Sequence, residues 1–388
     1  HSLYDTHLRV RACAIVVSLV ALALLGALPT PVVATVDYDA LRELAPEQRL
    51  RQTVGFFSGL GSRVTGYPGA EQAALHIHRQ FRHTGLHDIT FHKYDVSVPV
   101  DKGGTLQVSG GPTARLHGLW PNLVRTPTLP DGGMDGPLIW GGKGEFEDLD
   151  GQDVVGSVVV LDFNSGDNWL NTAYLGASAV IFIEPDSTVY LEGERKFLTM
   201  PLDLPRFWVS EEDGNALRRS IDRHGGKVDA HLEYRMDWER RPAWNVMGMI
   251  PGHDPLLRDD VIVLESYYDA MSVVPSLAPG AEQAAGITTL LELARYFRQH
   301  PPARTVLFLA TSAHHLALRG VDDFIQRYLR DEDPFIDRMV VRRVVEAALA
   351  RGLVEEAADG ISYRLGNQTY TGKEALVRQV SDMDTVLV

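Results

Sequence analysis

The run Asp260-Val261-Ile262-Val263-Leu264-Glu265-Ser266-Tyr267-Tyr268-Asp269 decides the fold class. Its apolar core, bounded by acids, reads as a strand buried on both faces. A second run of this kind is Thr305-Val306-Leu307-Phe308-Leu309-Ala310. Between the two lies Ala284 to Phe297, with apolar residues at helical spacing, and Gly320 to Leu329 reads as a further helix. Buried strands alternating with helices predict an α/β domain with a mainly parallel sheet flanked by helices. Ligands of such sheets bind beyond the carboxyl ends of the strands. Tyr267, Tyr268 and Asp269 follow the first strand, and Ser312, His314 and His315 follow the second. The loop Pro279-Gly280-Ala281-Glu282-Gln283 opens the intervening helix. Polar and ionisable side chains thus collect at one edge, which makes that edge the candidate site.

Working outward, Asn245 to Ile250 is another strand of this sheet. Upstream, Asp39 to Leu60 carries apolar residues at helical spacing, and Gly61 to Gly69 is rich in turn residues. Ala70 to Gly85 forms an amphipathic helix with Ala73, Ala74, Ile77 and Phe81 on one face, and Ile89 to Val98 reads as a strand. From Gly103 the texture changes to short β-type runs, among them Pro137 to Trp140, Ser157 to Leu161 and Ala179 to Ile183. Helices are expected near 168–175 and 211–224. The tail carries a helix over Asp337 to Arg351 and a small hairpin over Gly360 to Tyr370. The expected division is 1–36, a signal peptide or membrane anchor; 37–115, the first part of the main domain; 116–233, a β-rich insert; 234–330, the core; and 331–388, a tail.

The formal net charge is −14. That balance argues against a nucleic-acid partner, because phosphate binding needs clustered positive charge. The single cysteine, Cys13, lies in an N-terminal apolar run, so any metal must be held by His, Asp and Glu. Arg9 and Arg11 precede that run, which extends from Ala12 to Leu28; Pro29 and Pro31 end it, and Val32-Val33-Ala34 offers small residues. This is the pattern of a cleaved signal peptide or an anchor. Both place the remainder outside the cytoplasm, secreted or membrane-anchored.

The segments from Trp244 to Ile325 resemble the catalytic core of the M28 family of zinc aminopeptidases. The family pattern is a strand ending in His-x-Asp, a Gly-Ala-Asp-Asp-Asn-x-Ser-Gly loop opening a helix, and a strand followed by Glu-Glu. Here those places hold Tyr267-Tyr268-Asp269, Pro279-Gly280-Ala281-Glu282-Gln283-Ala284-Ala285-Gly286 and His314-His315. Gly61 to Gly69 is similar to the N-terminal segment of these enzymes. The insert resembles their protease-associated (PA) domain, through Asp150 to Leu161 and Gly176 to Phe182. The resemblance implies a zinc-aminopeptidase type of fold, a peptide or protein substrate or ligand, and zinc as the cofactor if the ligands suffice.

Carried over position by position, Tyr267 stands where a His ligand belongs and Asp269 keeps the orienting carboxylate. In active members of that family two zinc ions share a bridging carboxylate, and the resemblance puts Glu282 in place of that bridging Asp, His314 in place of the catalytic Glu and His315 in place of a Glu ligand. Glu282 and His315 are therefore the candidate metal ligands, with His314 as candidate base and Asp269 beside it. A neutral phenol at position 267 is a poor zinc ligand. The family adds an Asp and a final His downstream, whereas His315 is the last of the 14 histidines here. Either the chain is a piece of a longer protein or the site is incomplete. Plainer readings stand beside these: a strand-end pair for His314 and His315, a helix-start carboxylate for Glu282, and a hydrogen-bonded loop pair for Tyr267 and Asp269. His76, His78, His83, His87 and His92 read as a solvated surface. The expected function is an extracytoplasmic M28-like metallopeptidase homologue with impaired or altered zinc-dependent activity. Its alternatives are an inactive peptide- or protein-binding homologue and a domain of a larger envelope assembly.

Overall fold

The computed structural model describes residues 42–43, 45–122, 124–197, 201–329, 349, 354–357, 362–365 and 368–371. The N-terminal apolar run lies outside them, as does the helix expected over Asp337 to Arg351 apart from Leu349.

Two long strands frame the molecule. β1 (His87–Val108) and β7 (Lys227–Ile250) alternate buried and exposed residues over much of their length and pair antiparallel from His87–Met249 to Val108–Ala230. The register slips between Asp101 and Gly103, and Gly103 takes φ +84°. An extra residue next to a left-handed glycine bends a ribbon and increases its twist. The bend divides the ribbon into an inner half, in the core, and an outer half that carries the insert.

The insert contains β2 (Thr113–Gly118), β3 (Met134–Trp140), β4 (Val158–Asp162), β5 (Ala179–Ile183) and β6 (Arg206–Val209). β3 to β6 run parallel, and β2 and β3 join the two ribbon strands antiparallel. Leu232 of β7 faces Leu106 of β1 on one side and Met134 of β3 on the other, so seven strands close on themselves. Closure removes free sheet edges. β4 and β5 are buried on both faces, which is why they read as unbroken apolar runs.

In the core, β7 is followed in the sheet by β9 (Thr305–Thr311) and then β8 (Val261–Tyr267), with β8 parallel to β9. One face is covered by two helices that follow α1 (Glu47–Ser58): α2 (Pro68–Thr84) and, counting the insert's α3 (Phe146–Leu149), α4 (Leu170–Tyr174), α5 (Tyr190–Glu194) and α6 (Glu211–Arg223), α7 (Ala284–Gln299). Ala73, Ile77 and Phe81 of α2 meet Ile287, Leu290 and Leu291 of α7 over Val306 and Phe308. On the other face Phe324 and Tyr328 of α8 (Arg319–Tyr328) pack on Met247 and Leu309.

The α/β reading thus holds, in a mixed nine-stranded sheet. Its parallel pairings lie where strands alternate with helices, and its antiparallel ones come from the ribbon. One expectation is corrected. β8 is not buried on both faces, because it ends the strand order among the described residues. Val261, Ile262 and Val263 are 41%, 45% and 41% exposed. The histidines near α2 are not a uniformly solvated surface either. His76 stacks on Phe56 at 3.9 Å, with burial lowering its pKa to about 4, and His92 is buried with Nδ1 3.4 Å from Asp323. The tail hairpin is present as β11 (Ser362–Leu365) and β12 (Gln368–Thr371), with β10 (Glu355–Glu356) beside it.

Candidate active site at the carboxyl ends of β8 and β9

β8 and β9 end level, Tyr267 opposite Thr311. Past β8 the chain turns inward. Tyr268 is fully buried and its hydroxyl donates to the Trp244 carbonyl at 2.7 Å. Asp269 follows and is 1% exposed. Its Oδ2 accepts from the Thr65 hydroxyl at 3.0 Å and from the His314 amide at 3.1 Å. Thr65 Oγ1 in turn accepts from the Ala313 amide at 2.9 Å and lies 3.0 Å from Ser312 Oγ. One carboxylate and one hydroxyl therefore satisfy the turn that leaves β9.

That turn is strained. Ala313, Ala317 and Leu318 have φ +57°, +55° and +56°. Such left-handed conformations cost non-glycine residues about 1 kcal/mol or more each and persist only where the surroundings fix them. Gly320, at the start of α8, closes the turn. A Cβ there would lie 2.2 Å from the Ser312 carbonyl, 2.6 Å from the Tyr94 hydroxyl and 2.8 Å from Asn245 Oδ1. Gly320→Ala is expected to lose about 2 kcal/mol through overpacking, read as a lowered urea midpoint at unchanged slope.

The strained turn presents two imidazoles to β8. The His314 ring stacks on Tyr267 at 3.9 Å and 21°, and the His315 ring stands edge-on to both, at 5.0 Å from His314 and 5.8 Å from Tyr267. Partial desolvation, and then the neighbouring His314, lower the pKa of His315, which remains exposed at the edge. Burial raises Asp269 to about 7, against the opposing pull of the Thr65 and His314 hydrogen bonds and the Arg63 charge. His315 opens onto a cavity of about 910 Å³ that the loop from Met271 to Pro279 also lines.

The structure brings together four of the five predicted residues. Tyr267, His314 and His315 form the ring cluster, and Asp269 holds the His314 backbone. Glu282 is exposed at the start of α7. Among the described residues, no three His, Cys, Asp or Glu side chains converge as a metal site. The residues that sequence reasoning passed over are Arg63 and Thr65. Their segment stood out as turn-rich, but nothing in it showed that their side chains would face inward. Arg63 Nε donates to the Tyr268 carbonyl at 3.0 Å and Nη2 to the Gly280 carbonyl at 3.0 Å, with Nη1 on the Pro279 carbonyl.

Residues 245–343 match the model of peptidase family M28. The chain is M28 zinc aminopeptidase-like. It is 24% identical over 282 residues to the aminopeptidase YwaD of Bacillus subtilis (strain 168), covering 70% of this chain and 56% of that one. Its fold is that of BSAP, a zinc aminopeptidase from Bacillus subtilis, with a TM-score of 0.50 at 21% identity over 72% of this chain and 64% of that one. A Peptidase M28 precursor from Shewanella amazonensis SB2B gives a TM-score of 0.49 at 14% identity, over 74% and 68%. This M28-like chain spans less than two thirds of the length of YwaD and of BSAP.

BSAP is a zinc aminopeptidase. A zinc site needs three or four converging N, O or S donors. The M28-like edge offers a phenol stacked on one imidazole, a second imidazole edge-on to both, a buried carboxylate already engaged by two donors, and one exposed carboxylate, and among the described residues no three of its His, Asp and Glu side chains converge. These residues do not fit a two-zinc centre.

Proposed function

We propose that this M28-like chain is an extracytoplasmic metallopeptidase homologue that holds peptides in the cleft beside His315, with impaired or altered zinc-dependent aminopeptidase activity. The Tyr267–His314 stack carries the reading, because an aromatic pair occupies the sheet edge where the family resemblance calls for a ligand and a base. The M28 relatives support a metallopeptidase-like function in general terms. The closed ring of strands in the insert supports the PA-like reading of that segment. The N-terminal basic and apolar segment supports secretion or membrane association. The second reading, a wholly inactive peptide- or protein-binding homologue, is favoured by the same misfit to zinc.

Metal analysis of the purified protein, paired with an aminoacyl-nitroanilide assay, tests both readings. Fewer than two zinc ions per chain is expected, with turnover far below that of an intact two-zinc enzyme. No turnover at any zinc concentration selects the binding reading. Two equivalents of zinc with full turnover, both abolished by Glu282→Ala, would overturn the proposal.

A further inference from the structure

The cavity beside His315 has a second wall, built by the insert. Phe163, Phe197 and Trp208 line it, and Tyr190 and Val189 stand at its mouth on and before α5. Tyr190 is 87% exposed, Val189 64% and the neighbouring Leu191 49%. Three consecutive apolar side chains in water beside an apolar cavity are a costly surface that a ligand would cover. The cavity is near the upper end of the range that small-molecule sites occupy.

The charges of this lining are one-sided. Glu184 and Glu194 belong to it, and among the described residues no Lys or Arg does. Glu184 also accepts from the Glu211 amide at 3.3 Å, which fixes its carboxylate at the rim. Lys196 stands behind the wall, over Phe163 at 5.1 Å, and Glu192 at 3.1 Å neutralises it. His315 is the histidine of this lining. Carboxylates beside aromatic rings attract a cation twice, by charge and through the ring faces.

We infer that this cavity is a subsite for a peptide segment carrying one cationic and one apolar side chain, the cation between Glu184, Glu194 and Tyr190 and the apolar group against Phe163 and Trp208. The inference rests on the peptide-holding reading and names the ligand class of that cleft. It gives the insert a direct part in recognition, continuous with the β8–β9 edge through His315.

Fluorescence anisotropy with two labelled tetrapeptides, Phe-Arg-Leu-Ala and Phe-Glu-Leu-Ala, tests it on the full chain. The arginine peptide is expected to bind about tenfold more tightly, a preference that the double variant Glu184→Gln, Glu194→Gln removes. Tyr190→Ala is expected to weaken the arginine peptide about fivefold, the size of one partly desolvated cation–π contact. All three side chains are exposed, so thermal unfolding should be unchanged in the variants. Equal binding of both peptides, unmoved by these substitutions, would overturn the subsite and leave peptide holding intact. Binding of neither peptide would overturn peptide holding itself, and the subsite with it.

Discussion

Asp269→Ala is expected to destabilise the fold by about 3 kcal/mol, and Asp269→Asn to abolish one component of its pH dependence. The alanine variant strands two donors that the carboxylate accepts, the Thr65 hydroxyl and the His314 amide. Thr65 is buried and His314 half-buried, and an unsatisfied buried donor costs about 1–3 kcal/mol. The loss also releases a turn that holds Ala313 at φ +57°. The two histidines that this turn presents would lose their alignment with Tyr267, so near-ultraviolet dichroism from the stacked Tyr267 should fall along with stability.

The pH effect has a definite sign. Burial, as the largest cause, raises the Asp269 pKa from its ordinary 3.8 to about 7 in the folded protein. Between those two values the unfolded chain is ionised there while the folded chain still holds the proton. Folding therefore takes up a proton, and stability falls as pH rises. The contribution is fully present below about pH 4 and is lost by about pH 7, with a total of about 4 kcal/mol. Urea titrations at pH 5 and pH 8 should show the wild type losing about 2.5 kcal/mol more than Asp269→Asn. Parallel pH profiles would show that the carboxyl is ionised in the folded state throughout.

The sequence was most legible where one element has one environment. β5 reads directly from Ala179-Val180-Ile181-Phe182-Ile183, because both of its faces are covered and every residue is apolar. α7 was legible from helical spacing, since one stripe faces the sheet. β8 misled for the same reason: Val261-Ile262-Val263 is apolar, yet strand composition does not reveal position in the sheet order, and β8 is last among the described strands. The length of β1 and β7 was hidden too. Each passes from core to insert through Gly103 or polar residues that interrupt any simple period. At the site, Tyr267, Asp269, His314 and His315 were legible because they stand just beyond the carboxyl ends of apolar strands, where ligands of such sheets bind. Arg63 and Thr65 come from a distant turn and act through contacts of long sequence separation, which local pattern cannot register. Glu282 was placed at the edge by its loop at the helix start and given its ligand role by family likeness, and the structure leaves it exposed.

Arg63 is the position where that missed information carries most energy. Arg63→Ala is expected to cost about 4 kcal/mol and to uncouple the two loops of the site. The guanidinium is buried with its Nε and both terminal nitrogens on the carbonyls of Tyr268, Pro279 and Gly280. The backbone contributes further ties, with the Arg63 amide donating to the Ala278 carbonyl at 3.1 Å and the Ala270 amide to the Arg63 carbonyl at 3.0 Å. Burial lowers the Arg63 pKa to about 10, with the Asp269 charge resisting. At that value the side chain stays cationic at neutral pH, so its desolvation is offset by the carbonyl dipoles around it. Alanine leaves those carbonyls facing a void. Arg63→Lys supplies one point charge in place of a planar fork and can reach fewer of the three carbonyls, so it should recover less than half of the loss. Differential scanning calorimetry of the three proteins gives the order wild type, Arg63→Lys, Arg63→Ala. Hydrogen exchange at Asp269 to Gln283 should accelerate in Arg63→Ala, while the ring of strands in the insert, closed by its own pairings, should exchange as before. Equal acceleration in both regions would mean that Arg63 supports the whole fold and not the loops of the site.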